Sequence, residues 1–174
     1  MKQIAFLFLL SIFSYTALFG IESDSSYTSI SSIKSFKHLA KESKLLEDAE
    51  SKFSLKEILK DNRLDSEFTT PTVNIPYLDF TASTYWMKVN VHNDTAIKSA
   101  YYLELARPLS NLINLYIINE YGEITKHFKA GDDFPFIERP YLHRKFIFPI
   151  QFEANSKQTL VIETKSDGEI LKLP

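Results

Sequence analysis

Residues 85–93, 101–116 and 131–149 read YWMKVNVHN, YYLELARPLSNLINLY and GDDFPFIERPYLHRKFIFP, and the repeat in the first two decides the fold. Tyr85, Met87, Val89 and Val91 alternate with Trp86, Lys88, Asn90 and His92. That two-residue period puts each set on its own face of a strand. Tyr101, Leu103 and Leu105 alternate with Tyr102, Glu104 and Ala106 in the same way. Leu112 to Ile118 is apolar on both faces, as a central strand buried on two sides requires. The third block is a loop dense in charge, aromatics and proline that leads into a strand marked by Phe146, Phe148 and Ile150.

The same signals extend downstream. Asn119-Glu120-Tyr121-Gly122 is a turn, and Ile124 to Phe128 returns from it as the second arm of a hairpin. After a turn at Asn155-Ser156-Lys157, Leu160, Ile162 and Thr164 mark another strand, and Ile170, Leu171 and Leu173 open a last one. Pro71 and Pro76 confine Val73 and Ile75 to a sheet edge or an irregular approach. Roughly seven or eight short strands favour an all-β, antiparallel β-sandwich over a βαβ fold. Leu103, Leu105, Leu115, Ile117, Phe146, Phe148 and Ile162 are its expected core.

Upstream the period changes. Ser54-Leu55-Lys56-Glu57 is a capping box, followed by the apolar stripe Leu55, Ile58 and Leu59 of a short helix. Phe36, Leu39, Ala40, Leu45, Leu46 and Ala49 fall mostly at three- and four-residue steps, which predicts an amphipathic helix. Residues 22–36 are dominated by serine and read as a mobile linker dispensable for folding. Lys2, the apolar run Ile4 to Phe19 and Gly20 have the pattern of a signal peptide cut after Gly20, with Ala17 as the alternative site. Retention as a membrane anchor is the alternative fate; in both cases the rest lies outside the cytoplasm. The expected organisation is a signal peptide at 1–20, a Ser-rich linker and amphipathic helix at 21–50, and a β-sandwich at 51–174 that breaks off within its last strand.

Composition narrows the function. The 174 residues carry 20 basic and 22 acidic side chains, a net charge of −2, which argues against a nucleic-acid surface or a polybasic membrane patch. Four glycines leave almost no room for phosphate-binding loops, and without cysteine there is no disulfide framework or thiolate metal site. His38, His92, His127 and His143 form no i, i+4 metal pair, and no nucleophile elbow or Walker loop occurs. No enzyme and no cofactor is expected. Asn93-Asp94-Thr95 fits the glycosylation pattern, a match frequent by chance.

Tyr85-Trp86, Asn93, Leu103-Glu104-Leu105, Pro108-Leu109, Leu115-Tyr116, Gly131-Asp132, Pro135-Phe136, Arg139-Pro140, His143-Arg144 and Phe148-Pro149 occur in an order and spacing that carry a resemblance. Over about residues 50–174 the chain resembles the type-2 extracellular domain of the 7TMR-DISM receptors, seven-transmembrane receptors with diverse intracellular signalling modules. It departs from them at Asp79-Phe80-Thr81-Ala82, where relatives carry a glycine-containing stretch. The resemblance implies a jelly-roll-like sandwich similar to carbohydrate-binding modules. It also implies a periplasmic sensor of a small ligand, feeding seven membrane helices and a kinase or cyclase output.

Binding residues are expected in the loop, where Asp132, Asp133, Arg139, Tyr141, His143 and Arg144 gather planar polar and aromatic groups. A sugar offers one apolar face for an aromatic ring and a polar rim for such groups. The competing reading is a scaffold loop held by Arg–carboxylate pairs such as Arg139 with Asp132. Trp86, Tyr101, Tyr102 and Tyr116 are further aromatic candidates, Trp86 more in keeping with the core. Two alternatives stand beside a carbohydrate sensor. One is a calcium-responsive module using Asp132, Asp133 and Glu138; the other docks a partner ectodomain through a sheet face.

Overall fold

The computed structural model describes residues 27–174 except 106, 108, 168 and 169. The signal peptide and residues 21–26 lie outside the described residues. Strand β4 (Thr84–His92) organises the rest, because its apolar residues point both ways. It pairs along its whole length with β9 (Lys157–Lys165), from Thr84 opposite Lys165 to His92 opposite Lys157. Beyond β9 lie β6 (Leu112–Asn119) and then β7 (Ile124–Ala130), all antiparallel. On the other edge of β4, β2 (Ser43–Asp48) runs antiparallel beside Thr84–Val89, and β1 (Thr28–Ser29) runs parallel beside Val91–His92.

This six-stranded sheet faces a second layer made of two ribbons. One joins β5 (Ser99–Leu105) to β8 (Phe146–Phe152); the other joins β3 (Tyr77–Phe80) to β10 (Ile170–Lys172). The protein is thus an all-β sandwich, as its sequence leads one to expect. Met87, Val89, Ile113, Leu115, Leu160 and Ile162 meet Leu103, Leu105, Phe146, Phe148, Ile150 and Phe152 between the layers. Every core residue expected above is buried. The outer face of the large sheet carries its own apolar cluster, Trp86, Leu46 and Val161, covered by Ile58, Leu64 and Phe68. Ile58 belongs to helix α1 (Leu55–Lys60), capped as expected: the Glu57 amide donates to Ser54 Oγ and the Ser54 amide to Glu57 Oε2. Among the described residues, no helix is long and apolar enough to cross a membrane.

Two expectations about the N-terminal region are corrected. The amphipathic helix over 36–49 is instead a 3-10 turn (Ala40–Glu42) followed by β2. Adjacent leucines explain it: Leu45 enters the inter-layer core while Leu46 joins the outer cluster, which a strand buried on both faces satisfies and a one-sided helix does not. Second, the described part of the Ser-rich stretch is packed. Thr28 pairs in the sheet, and Ile30 is 2% exposed within the core. Asp94 fastens this stretch, accepting from Ser29 Oγ, Ser31 Oγ and the Ser31 amide. Those hydrogen bonds hold its carboxyl well below the usual range. The sandwich therefore begins near residue 28, and not at residue 51.

Asn93 is likewise a structural residue and no glycosylation site. It is fully buried, its Nδ2 donates to the carbonyls of Ile97 and Glu153 at 2.8 Å, and its Oδ1 accepts from the Thr95 amide and hydroxyl. One side chain thus joins the ends of β4 and β8.

This packing sets the cost of two substitutions. Ile30→Ala should cost about 2–5 kcal/mol, the usual loss for a buried isoleucine, in chemical denaturation; an unchanged midpoint would restore the free-linker reading. Asn93→Ala strands several polar partners and should cost about 1–3 kcal/mol, whereas Thr95→Ala, which removes one of those bonds, should cost less by the same assay.

Candidate functional site

The loop after β7 is set by its first residue. Gly131 has φ +149°, and a Cβ there would sit 1.9 Å from the Asn111 carbonyl oxygen, so only glycine fits. The close approach lets the Asp132 amide donate to the Ser110 carbonyl (2.8 Å) and Asn111 Nδ2 donate to Asp133 Oδ1 (3.0 Å). Asp132 and Asp133 are thereby held at the start of β6.

Arg139 organises the other half of the loop. Its guanidinium lies over the rings of Phe146 (4.3 Å) and Phe136 (5.0 Å), and Nη1 donates to the carbonyls of His143 (2.9 Å) and Arg144 (2.6 Å). The expected pairing with Asp132 is corrected: the guanidinium satisfies backbone carbonyls of its own loop, a use its planar fork suits. His143 Nδ1 accepts from the Lys145 amide at 3.1 Å, which places the proton of the neutral ring on Nε2. Lys145 in turn pairs with Glu104 at 2.6 Å.

The product of this bracing is the position of Tyr141. Its ring meets Tyr102 edge-on, centroids 5.8 Å apart, and the two residues are 49% and 65% exposed. Both border a groove of about 840 Å³. Its walls come from β5 and β8, from residues 33–39, and from Ile75 and Leu173–Pro174; buried Val91, Leu103 and Leu160 form its floor. Phe36, 75% exposed, stands in the same groove with His38 edge-on to it at 5.6 Å. Of the six loop residues singled out by sequence, only Tyr141 lines this groove. Asp132 and Asp133 are engaged at Ser110–Asn111, while Arg139, His143 and Arg144 brace the loop through side chain or carbonyl.

Of the other aromatic candidates, Tyr101 and Tyr102 line the groove. Trp86 is 2% exposed in the outer cluster, and Tyr116 stacks on His127 at 4.4 Å on the outer face of the large sheet. Phe36, His38 and Ile75 were not legible as site residues, because each sits outside the regular strands. Among the described residues no three Asp, Glu, His or Cys side chains gather as a metal site, so the calcium alternative gains no cluster there.

The chain is thus a two-layered β-sandwich with an aromatic groove beside its interrupted second layer. The 7TMR-DISM extracellular 2 profile matches residues 40–173, and the chain belongs to that family. The match extends upstream of the recognised segment to include β2. The family describes an extracellular sensor part of a membrane receptor. No curated protein matches the chain.

Arg139→Ala should lower stability by about 1–3 kcal/mol by stranding two carbonyls and removing a stacked cation, and Arg139→Lys should restore only part of it. Paired denaturation curves check this; a silent Arg139→Ala would mean that the loop is braced elsewhere.

Proposed function

We propose that this domain is the exported, periplasmic ligand-sensing module of a bacterial receptor, and that the groove beside Tyr102 and Tyr141 takes a carbohydrate. The observation that carries the reading is the exposed edge-on tyrosine pair on a groove of about 840 Å³, with Glu104 beside it. Aromatic faces of this kind suit the C–H face of a pyranose, while tyrosine hydroxyls, His38 and Glu104 offer donors and acceptors for its rim. Tyr141 is the direct contact on this reading, with Arg139, His143 and Arg144 as its support and Asp132 and Asp133 as the hinge of the loop. On this reading the module binds and does not catalyse. Residues 1–20 supply the export signal, and membrane helices with a kinase or cyclase output complete the receptor.

Tyr102→Ala and Tyr141→Ala should each weaken glycan binding about tenfold, equivalent to roughly 1.4 kcal/mol, with the melting temperature held within a few degrees. A glycan array on the wild-type domain selects the sugar, and calorimetry on the two variants measures the loss. No bound glycan, or equal affinity in all three proteins, would overturn the reading.

A further inference from the structure

A second cavity, of about 970 Å³, lies on the opposite side of β4 from the core, where the outer faces of β2, β4 and β9 meet residues 27–42. Four lysines line it, Lys37, Lys41, Lys44 and Lys88, against a single carboxylate, Glu42. That excess stands out in a chain whose net charge is −2. Glu42 does not balance it, since one oxygen accepts from Thr28 Oγ1 and the other pairs with Lys37 at 2.6 Å. Lys41 and Lys44 have no ion-pair partner among the described residues.

The sheet register sharpens the point. Lys44 and Lys88 are direct cross-strand partners on the same face, a placement that repels and that sheets avoid. Lys88 is turned inward rather than into water. Its side chain is 20% exposed and lies over the Phe68 ring at 3.9 Å, and its ammonium donates to the Ile58 carbonyl at 3.4 Å and faces the largely solvent-exposed Asp65 carboxylate at 3.7 Å. Burial accordingly depresses its ammonium below the ordinary lysine range. The remaining walls carry Ser29, Thr70, Asn90 and Thr159, groups that hydrogen-bond a hydroxylated molecule.

We infer that this cleft is an oxyanion-binding site, built for a small hydroxyl-bearing molecule whose carboxylate or phosphate sits between Lys44 and Lys88, with Lys41 at the rim. An anion there relieves the cross-strand repulsion and gives Lys88 a closer counter-charge than the exposed Asp65 provides. The site is separate from the tyrosine groove and does not depend on it.

The test uses three probes, inorganic phosphate, galacturonate and neutral galactose, at ionic strength matched with chloride, read by calorimetry and thermal shift. Phosphate or galacturonate should bind and raise the melting temperature of the wild-type domain, and galactose should leave this site unaffected. Galacturonate alone would identify a carboxylated sugar, phosphate alone a phosphorylated ligand, and both a general oxyanion pocket. Lys44→Gln and Lys88→Met should each weaken the anion about tenfold, the value of one charge-assisted contact. Lys44→Gln should not lower the ligand-free melting temperature, because it removes a repulsive charge, and Lys88→Met should lower it by a few degrees at most, because the apolar stem over Phe68 is kept while the contacts with Ile58 and Asp65 are lost. Tyr102→Ala should leave the anion response intact, so failure here and failure at the groove are told apart. Absence of any response beyond chloride, or a response retained in the Lys44→Gln/Lys88→Met double variant, would overturn the inference. So would a fall in stability in both single variants with unchanged anion affinity.

Discussion

β4 needs cover on both faces, and the rest of the architecture answers that need. Met87, Val89 and Val91 on one side and Trp86 on the other are all 3% exposed or less. A strand with this pattern gains its hydrophobic stabilisation only if a layer lies on each side, at roughly 1.5–3 kcal/mol for each large side chain buried. On one side the cover is the β5–β8 ribbon with its phenylalanines. On the other it is one short helix and the turn around Leu64, which reach across β2 and β4 and stop before β7. The outer face of β7 consequently carries Lys129, His127 and Thr125, all exposed.

The incomplete cover explains where the two cavities lie. The second layer is split into two ribbons, and the tyrosine groove lies where β5 has, among the described residues, no strand neighbour other than β8. Its floor is made by the buried core residues Val91, Leu103 and Leu160, and its exposed apolar surface comes from Tyr102, Tyr141, Phe36 and Ile75 on its walls. On the outer face, the lysine cleft lies where the α1 region ends. Both cavities occur at edges of a packed layer, where backbone and side chains are fixed by the sheet while the space above them is free.

What sequence disclosed and what it did not follow from the range of the interactions. Alternation in Tyr85–Val91, the turn before Gly122 and the Ser54–Glu57 box are local patterns, and each reappears in the structure as read. Residues 36–49 misled because Leu45 and Leu46 are neighbours with opposite destinations. Without knowledge of two cores, adjacent leucines resemble the i, i+1 pair of a helical stripe. Arg139 misled for a related reason, since nearby carboxylates in sequence are natural partners for it, yet the loop turns its fork toward its own carbonyls. Neither cavity is written in any one segment. The groove joins residues 33–39 to Tyr102, Tyr141 and Pro174, and the cleft joins Lys37 to Lys88.

The segment between Tyr27 and Glu42 gains its importance from that long-range assembly. Thr28 and Lys37 border both cavities, the aromatic one and the basic one. The segment has little regular structure to hold it, only the short β1 pairing and two 3-10 turns. Its position depends instead on Ile30 in the core, on Asp94 gripping Ser29 and Ser31, and on Glu42 joining Thr28 to Lys37. Polar tethers of this kind contribute modestly to global stability when exposed, but they fix geometry. A serine-rich sequence suits such a tether, because its short hydroxyl side chains bond a carboxylate without filling the two cavities beside it.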